Sequence, residues 1–361
     1  VIDFASRVAF VVLGVLVVSS VIADLFSQVV VPRPSRARWR ISRIIFSLSW
    51  RSWRWFALRW NPETREDMLG SYAPVAVIVL LGIWVVLLAV GYGFILWGLR
   101  EQTQPELRSY WEALYFSGTS LLTIGFGDIV ATAGLSRMVV LLEAGTGLGT
   151  VALVISMLFS LYAAFQRREA LVITLDASAG APPSGIALLE TVRKYKMPEH
   201  LDRTFEDFRI WSAEVLESHL AYPTLIWFRS NHDNESWISA LGAVMDAATM
   251  LLTAIEGEPQ GRAALMFKVG GHLVEDLSHL FGDGHEHIAG VERFEFDEAC
   301  RRLEKVGYRL RPADQAWEEF QVRRAEYASP LNEFARLLVI PPAPWIGDRS
   351  YLPHALRATH D

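Results

Sequence analysis

Apolar residues gather into three long runs, at 8–31, 73–99 and 135–165. Each reaches or exceeds the roughly 20 residues that a helix needs to cross a hydrocarbon core. A fourth stretch, from Ser109 to Leu122, is amphipathic and aromatic-rich. It is too short to span a bilayer and suits a helix that dips halfway and returns as extended chain. From Leu171 onward the period becomes that of amphipathic helices, in segments such as HLDRTFEDFRIWSAEVLESHLAY, ESWISALGAVMDAATMLLTAI and ADQAWEEFQVRRAEYASPLNEFARLL. LVITLD (171–176) reads either as a short strand or as the end of the third span, and DASAGAPPSG reads as a linker. The pattern predicts an all-α membrane protein. Its expected parts are an N-terminal transmembrane helix (1–32), an Arg/Trp-rich amphipathic segment (33–65), a membrane module (66–168) and a helical domain (169–361). Within the module the expectation is an outer helix at 73–99, a half-helix at 109–122, a loop at 123–128 and an inner helix at 135–165.

Composition agrees with a membrane protein: 52% of the 361 residues are hydrophobic and the mean hydropathy is +0.24. The first apolar run exceeds the usual signal-peptide core and lacks a small-residue cleavage site, so it reads as a retained helix. Cys300 is the sole cysteine, which excludes an intrachain disulfide. Residues 1–170 hold 15 Arg and 11 acids, whereas residues 171–361 hold 19 basic and 29 acidic residues and all nine histidines. An acidic second half argues against nucleic acid as a partner, because phosphate neutralisation needs a basic face.

Nine arginines from Arg33 to Arg65, against the single acid Glu63, place that segment on the cytoplasmic side. The expectation is a multi-pass cell-membrane protein with its N-terminus outside and everything after Arg168 in the cytoplasm. Read as a helix, residues 36–59 bring Arg36, Arg40, Arg43, Arg51 and Arg54 into a wedge of about 80°. That suits a helix lying in the headgroup plane with its arginines on anionic lipids. The alternatives are an ordinary cytoplasmic helix packed on its own domain, and a voltage sensor, which would need arginines inside a span.

After the half-helix come Thr123, Ile124, Gly125, Phe126, Gly127 and Asp128. Glycine adopts positive φ without steric cost, so alternating glycines let successive carbonyls face one way and replace a cation's water shell. The motif, with its half-helix and flanking spans, resembles the selectivity filter of the potassium channel superfamily. Phe126 stands where Tyr is commoner. The whole layout resembles a bacterial channel-like group with an extra N-terminal transmembrane helix and a helical C-terminal cytoplasmic domain, in which a segment like that from Glu217 to Trp237 recurs. The resemblance implies K+ ions bound at Thr123–Asp128, no other required cofactor, and a homotetramer, since one loop per chain supplies a quarter of a fourfold pore. Asp128 is expected at the outer mouth, hydrogen-bonded back to the half-helix near Trp111 or Tyr115.

Gly145, Gly147 and Gly149 interrupt the third run. Gly147 matches the spacing of the inner-helix glycine at which similar channels bend, so Gly147 and Gly145 read as a gating hinge; close packing of small residues between helices is the other reading. Glu143 is the acid inside this run and needs a partner, expected on the back of the half-helix or on a neighbouring subunit, with direct ion binding as the alternative. In the C-terminal domain, His272, Asp276 and His279 fall on one helical face, with Glu275 beside them and His285 and His287 beyond. They read as a divalent-metal or pH site, or as an exposed polar face. Arg229, Asn231, His232, Asp233 and Asn234 crowd a loop, where such residues cap and turn the chain. No nucleophile with an ordered base is evident, so the expectation is a non-enzyme. The leading reading is a homotetrameric K+ channel modulated by its cytoplasmic domain. The rival is a membrane-tethered sensor or scaffold that keeps the channel fold as a tetramerisation platform.

Overall fold

The computed structural model describes residues 4–29, 41–230, 236–281, 291–340 and 343–345. Among the described residues three helices are long and apolar enough to cross a membrane: α1 (Phe4–Val29), α3 (Pro62–Gly98) and α5 (Gly134–Ala179), with α2 (Ile41–Ala57) and α4 (Tyr110–Leu121) between them. The chain divides into two compact units, residues 1–162 with 221–224, and residues 163–220 with 225–361.

In the first unit α1 lies along α3 at a crossing of small residues. A Cβ on Gly14 would strike the Gly91 carbonyl, and one on Gly91 would sit 2.8 Å from Val18 Cγ2, so the backbones meet where neither helix carries a side chain. Asp24, buried near the end of α1, accepts from Trp84 Nε1 on α3 at 2.9 Å and from the Ser42 hydroxyl and amide at 3.1 and 3.3 Å. An acid at the first turn of α2 meets that helix's unpaired N–H groups and the positive end of its dipole.

The outer span starts at Pro62, eleven positions ahead of the expected residue 73. Proline at the helix start has its φ preset, and Glu63 suits the first turn. The added length is fastened to α2: the Tyr72 hydroxyl donates to the Phe46 carbonyl at 2.7 Å, and Trp53 Nε1 donates to the Met68 carbonyl at 2.8 Å. Along α2 itself, Arg51 is exposed and Arg54 half-buried. Arg36, Arg40 and the Arg43 side chain lie outside the described residues. α5 also outruns expectation: it continues to Ala179, so LVITLD is helix, and DASA of the expected linker is its last turn.

The second unit is built around α8 (Trp237–Thr253), all of whose residues are buried. α6 (Gly185–Lys194), α9 (Gly261–Phe281) and α11 (Ala313–Leu338) pack on it. A Cβ on Gly185 would strike the Ala243 carbonyl, so the start of α6 approaches α8 backbone to backbone. α7 (Pro198–Ala221) and α10 (Arg293–Lys305) complete the described helices of this unit. Its core holds an ion pair: Arg324 Nε donates to Asp246 Oδ1 at 2.9 Å, with the two side chains 4% and 1% exposed, and the Tyr327 hydroxyl donates to the same oxygen at 2.6 Å. Burial pushes the Asp246 carboxyl up against the pull of Arg324.

Two predictions follow from that core. Arg324→Met strands Asp246 as an uncompensated buried charge and should cost about 3–5 kcal/mol, whereas adding Asp246→Leu should recover much of the loss; denaturant melts of both variants check this. His219 on α7 is fully buried, its Nδ1 donating to the Val215 carbonyl at 2.7 Å. Burial, and then the Arg168 charge, hold its pKa down at about 3 from an ordinary 6.5. A base depressed in the folded state contributes stability above pH 6.5 that drains away as pH falls toward 3. His219→Gln should flatten that acid loss by roughly 3–5 kcal/mol in melts across the range.

Candidate functional site

The segment between α3 and α5 leaves and returns to one place. β1 (Thr103–Gln104) pairs antiparallel with β2 (Val130–Ala131), Thr103 opposite Ala131, and the Ser136 hydroxyl donates to the Gln102 carbonyl at 2.9 Å. Everything from 105 to 129 is therefore one excursion with its ends tied together. α4 opens on Ser109, whose hydroxyl accepts from the Glu112 amide at 3.3 Å, while Glu112 Oε2 accepts from the Arg108 amide at 2.7 Å. The Ser109 cap starts the helix sharply, and the Glu112 contact holds the residue before it.

One face of α4 is held by α3. The Tyr110 hydroxyl donates to the Val90 carbonyl at 3.1 Å, and Leu96, Leu107, Ala113 and Phe116 form a small buried cluster. Ser117 Oγ lies 2.8 Å from the Ala89 carbonyl and is hydrogen-bonded to Glu143 Oε1 on α5. The far end of α4 meets α5 at Gly147, where an added Cβ would collide with the Leu121 carbonyl. That contact lies about 20 Å along α5 from its first residue, Gly134, deep within a span of bilayer thickness.

From there the backbone alternates. Thr123 has φ 56°, Gly125 57° and Gly127 80°, whereas neither Ile124 nor Phe126 has positive φ. Thr119 terminates the helix by accepting from the amides of Ile124 at 2.8 Å and Gly125 at 3.3 Å, and Ser120 accepts from Thr123 at 3.0 Å. Among the described residues no hydrogen bond ends on the carbonyls of Thr123, Ile124, Gly125 or Phe126. A chain that alternates left- and right-handed angles can turn consecutive carbonyls to one side, and four such oxygens are hard ligands for an alkali cation. All six residues from Thr123 to Asp128 are exposed in the single chain. The Tyr115 hydroxyl donates to Asp128 Oδ2 at 2.9 Å, which ties the end of the loop back to α4, while Trp111 is 75% exposed.

The structure thus brings together Thr123 to Asp128, Glu143 and Gly147 around α4. Gly145 and Gly149 have open space where a Cβ would stand, so among the three glycines it is Gly147 that has a packing reason within the chain. Sequence reasoning missed two features: the positive φ of Thr123, which a β-branched residue rarely adopts, and the Tyr92 hydroxyl 2.8 Å from Thr146 Oγ1. The Ser117 to Glu143 hydrogen bond puts a partner for the acid on the half-helix, one of the two places expected for it. In the C-terminal unit, His272, Glu275, Asp276 and His279 are all exposed on α9, and no group of three His, Cys, Asp or Glu among the described residues is placed to hold a metal ion. The buried Leu273, Val274 and Leu277 between them turn these four to solvent, the polar-face arrangement that was the alternative reading. His285 and His287, like Asn231, His232, Asp233 and Asn234, lie outside the described residues. Arg229 is buried, and its Nη2 donates to the Val339 carbonyl at 3.0 Å.

Residues 75–164 match the model of a family described as Ion channel. The match covers α4, the loop and most of the flanking spans. The chain is also 24% identical over 213 residues to an uncharacterized membrane protein, YdjJ, of Bacillus subtilis (strain 168); the alignment covers 58% of this chain and 62% of that protein. No solved structure matches the chain.

Gly147→Ala should displace Leu121 and with it the base of the loop, reducing ion flux by about tenfold or more, the scale of one or two kcal/mol of misplacement. Gly145→Ala and Gly149→Ala, whose added methyls meet nothing in the chain, should leave the folded fraction unchanged; flux and size-exclusion profiles of the three variants check this.

Proposed function

We propose that four copies of this chain assemble with their 123–128 loops around one axis and conduct K+ passively down its gradient. The observation that carries the reading is the alternating φ of Thr123, Gly125 and Gly127 at the end of the short helix α4, with four carbonyls that have no donor among the described residues. Free carbonyls at membrane depth are costly unless they line an aqueous path or bind a cation. One loop per chain cannot enclose an ion, so closed symmetry completes the ring. The exposed apolar side chains of this region, Phe126 at 68% and Leu141 and Leu148 at 67%, fit burial against neighbouring copies or lipid.

The protein would sit in the cell membrane with its N-terminus outside and the C-terminal helical unit in the cytoplasm, where that unit modulates the pore. α2 would lie at the inner surface on anionic headgroups, with Arg51 and Arg54 reaching phosphate and Arg59 stacked 3.2 Å over the Trp55 ring. Gating motion centred on Gly147 would have to carry the Leu121 contact with it, so movement of α5 and of the loop would be coupled.

The test is purified full-length protein in liposomes under opposed K+ and Na+ gradients. A reversal potential near the K+ equilibrium value is expected, as is loss of flux in Gly125→Ala and Gly127→Ala with the tetramer intact. A potential near zero would sink the selectivity claim. Absence of flux in the parent protein would favour a membrane-tethered scaffold built on the same fold.

A further inference from the structure

Glu143 is 0% exposed, and the Ser117 hydroxyl is its hydrogen-bond partner. That same hydroxyl lies 2.8 Å from the carbonyl of Ala89. A serine hydroxyl carries one proton, and a backbone carbonyl has none to give. The Ala89 contact therefore takes the Ser117 proton, and the contact with Glu143 must be supplied from the other side. Only a protonated carboxyl can supply it. In the reverse assignment Ser117 donates to a carboxylate. Two lone-pair oxygens, on Ser117 and Ala89, would then face each other 2.8 Å apart with no hydrogen between them, and the charge would have one donor in apolar surroundings.

The environment of Glu143 points the same way. Its second oxygen, Oε2, has no partner among the described residues, which an acid's carbonyl oxygen tolerates far better than a carboxylate does. No ion pair reaches Glu143 among the described residues. From α3 the titratable group facing it is Tyr92, whose hydroxyl lies 2.8 Å from Thr146 Oγ1; from α4 it meets the Ser117 hydroxyl.

We propose that Glu143 is a positioning residue held as a neutral carboxylic acid: it donates to Ser117 Oγ, Ser117 donates to the Ala89 carbonyl, and this relay across three helices fixes α4 at the depth its loop needs for conduction. Loss of the Glu143 proton to water leaves Ser117 one proton for two acceptors, and the carboxylate is driven toward solvent, loosening α4 from α5. Conduction should therefore fall as pH rises. The inference rests on the reading of residues 123–128 as a conducting loop.

Two readouts on the full-length protein separate the failure of this inference from the failure of that reading. In liposomes, K+ flux of the parent protein should drop by about tenfold between about pH 6 and about pH 9, the scale of one lost buried hydrogen bond. Glu143→Gln keeps a donor and cannot titrate, so its flux should match the parent at the acid end and stay flat with pH. Glu143→Ala and Ser117→Ala should be low throughout. Independently of any flux, the infrared spectrum of the parent protein at neutral pH should contain a protonated-carboxyl band that Glu143→Gln lacks. Absence of that band, or a Glu143→Gln variant that titrates like the parent or fails to conduct while tetrameric, overturns the proposal.

Discussion

A helix that stops inside a membrane leaves its last carbonyls without the N–H groups of a following turn and without water. On the function proposed above α4 stops this way, and its surroundings answer group by group. Gly118 and Ser120 accept from Leu122 and Thr123, and Thr119 accepts from two amides of the loop. The Leu121 carbonyl is covered by α5, which can approach only because residue 147 is glycine. Among the described residues no hydrogen bond ends on the carbonyls from Thr123 to Phe126 beyond it. The negative end of the α4 dipole lies at this same point, a setting that favours a cation over an anion. The sharp cap at Ser109, the cluster under Phe116 and the β1–β2 tie at the excursion's base all hold that end in place.

The second unit solves a different burial problem by similar means. α8 has no solvent face, so its single carboxylate, Asp246, must be matched from outside the helix, and α11 supplies both the arginine and the tyrosine. Such a pair adds little net stability over apolar packing of the same shape. What it does is fix register: Arg324 and Tyr327 are three residues apart on one face, so α11 can satisfy Asp246 in one rotation and not in others. Arg324 also donates from Nη2 to the Trp345 carbonyl at 2.5 Å, which draws the chain beyond α11 into the same arrangement.

Much of this was legible in the sequence, for reasons that can be named. Spans of twenty or more apolar residues have few structural uses, and two glycines flanked by Thr and Asp after an amphipathic half-helix have fewer still. Helix ends were less legible, because polar first turns such as that after Pro62 are held by tertiary partners on α2 that composition does not reveal. Thr123 was opaque, since its positive φ is imposed by the bonds closing α4 against its own preference. The glycine triplet in α5 could not be resolved by spacing alone; only the position of the Leu121 carbonyl separates Gly147 from Gly145 and Gly149. His272, Asp276 and His279 share a helical face as their spacing required, but sharing a face does not make side chains converge.

Two acids in apolar helices show where such reading ends and geometry takes over. Asp24 in α1 and Glu143 in α5 look alike in the sequence, each a lone carboxyl among aliphatic residues. Donors converge on Asp24 from three groups, the Ser42 amide, the Ser42 hydroxyl and the Trp84 indole. That is the surrounding a carboxylate requires. Glu143 meets one hydroxyl, already within reach of another acceptor. The number of donors pointing at each acid, more than its depth, separates the two. Asp24 can therefore serve as a fixed anchor for the start of α2. The hold that Glu143 keeps on α4 lasts only while its proton stays.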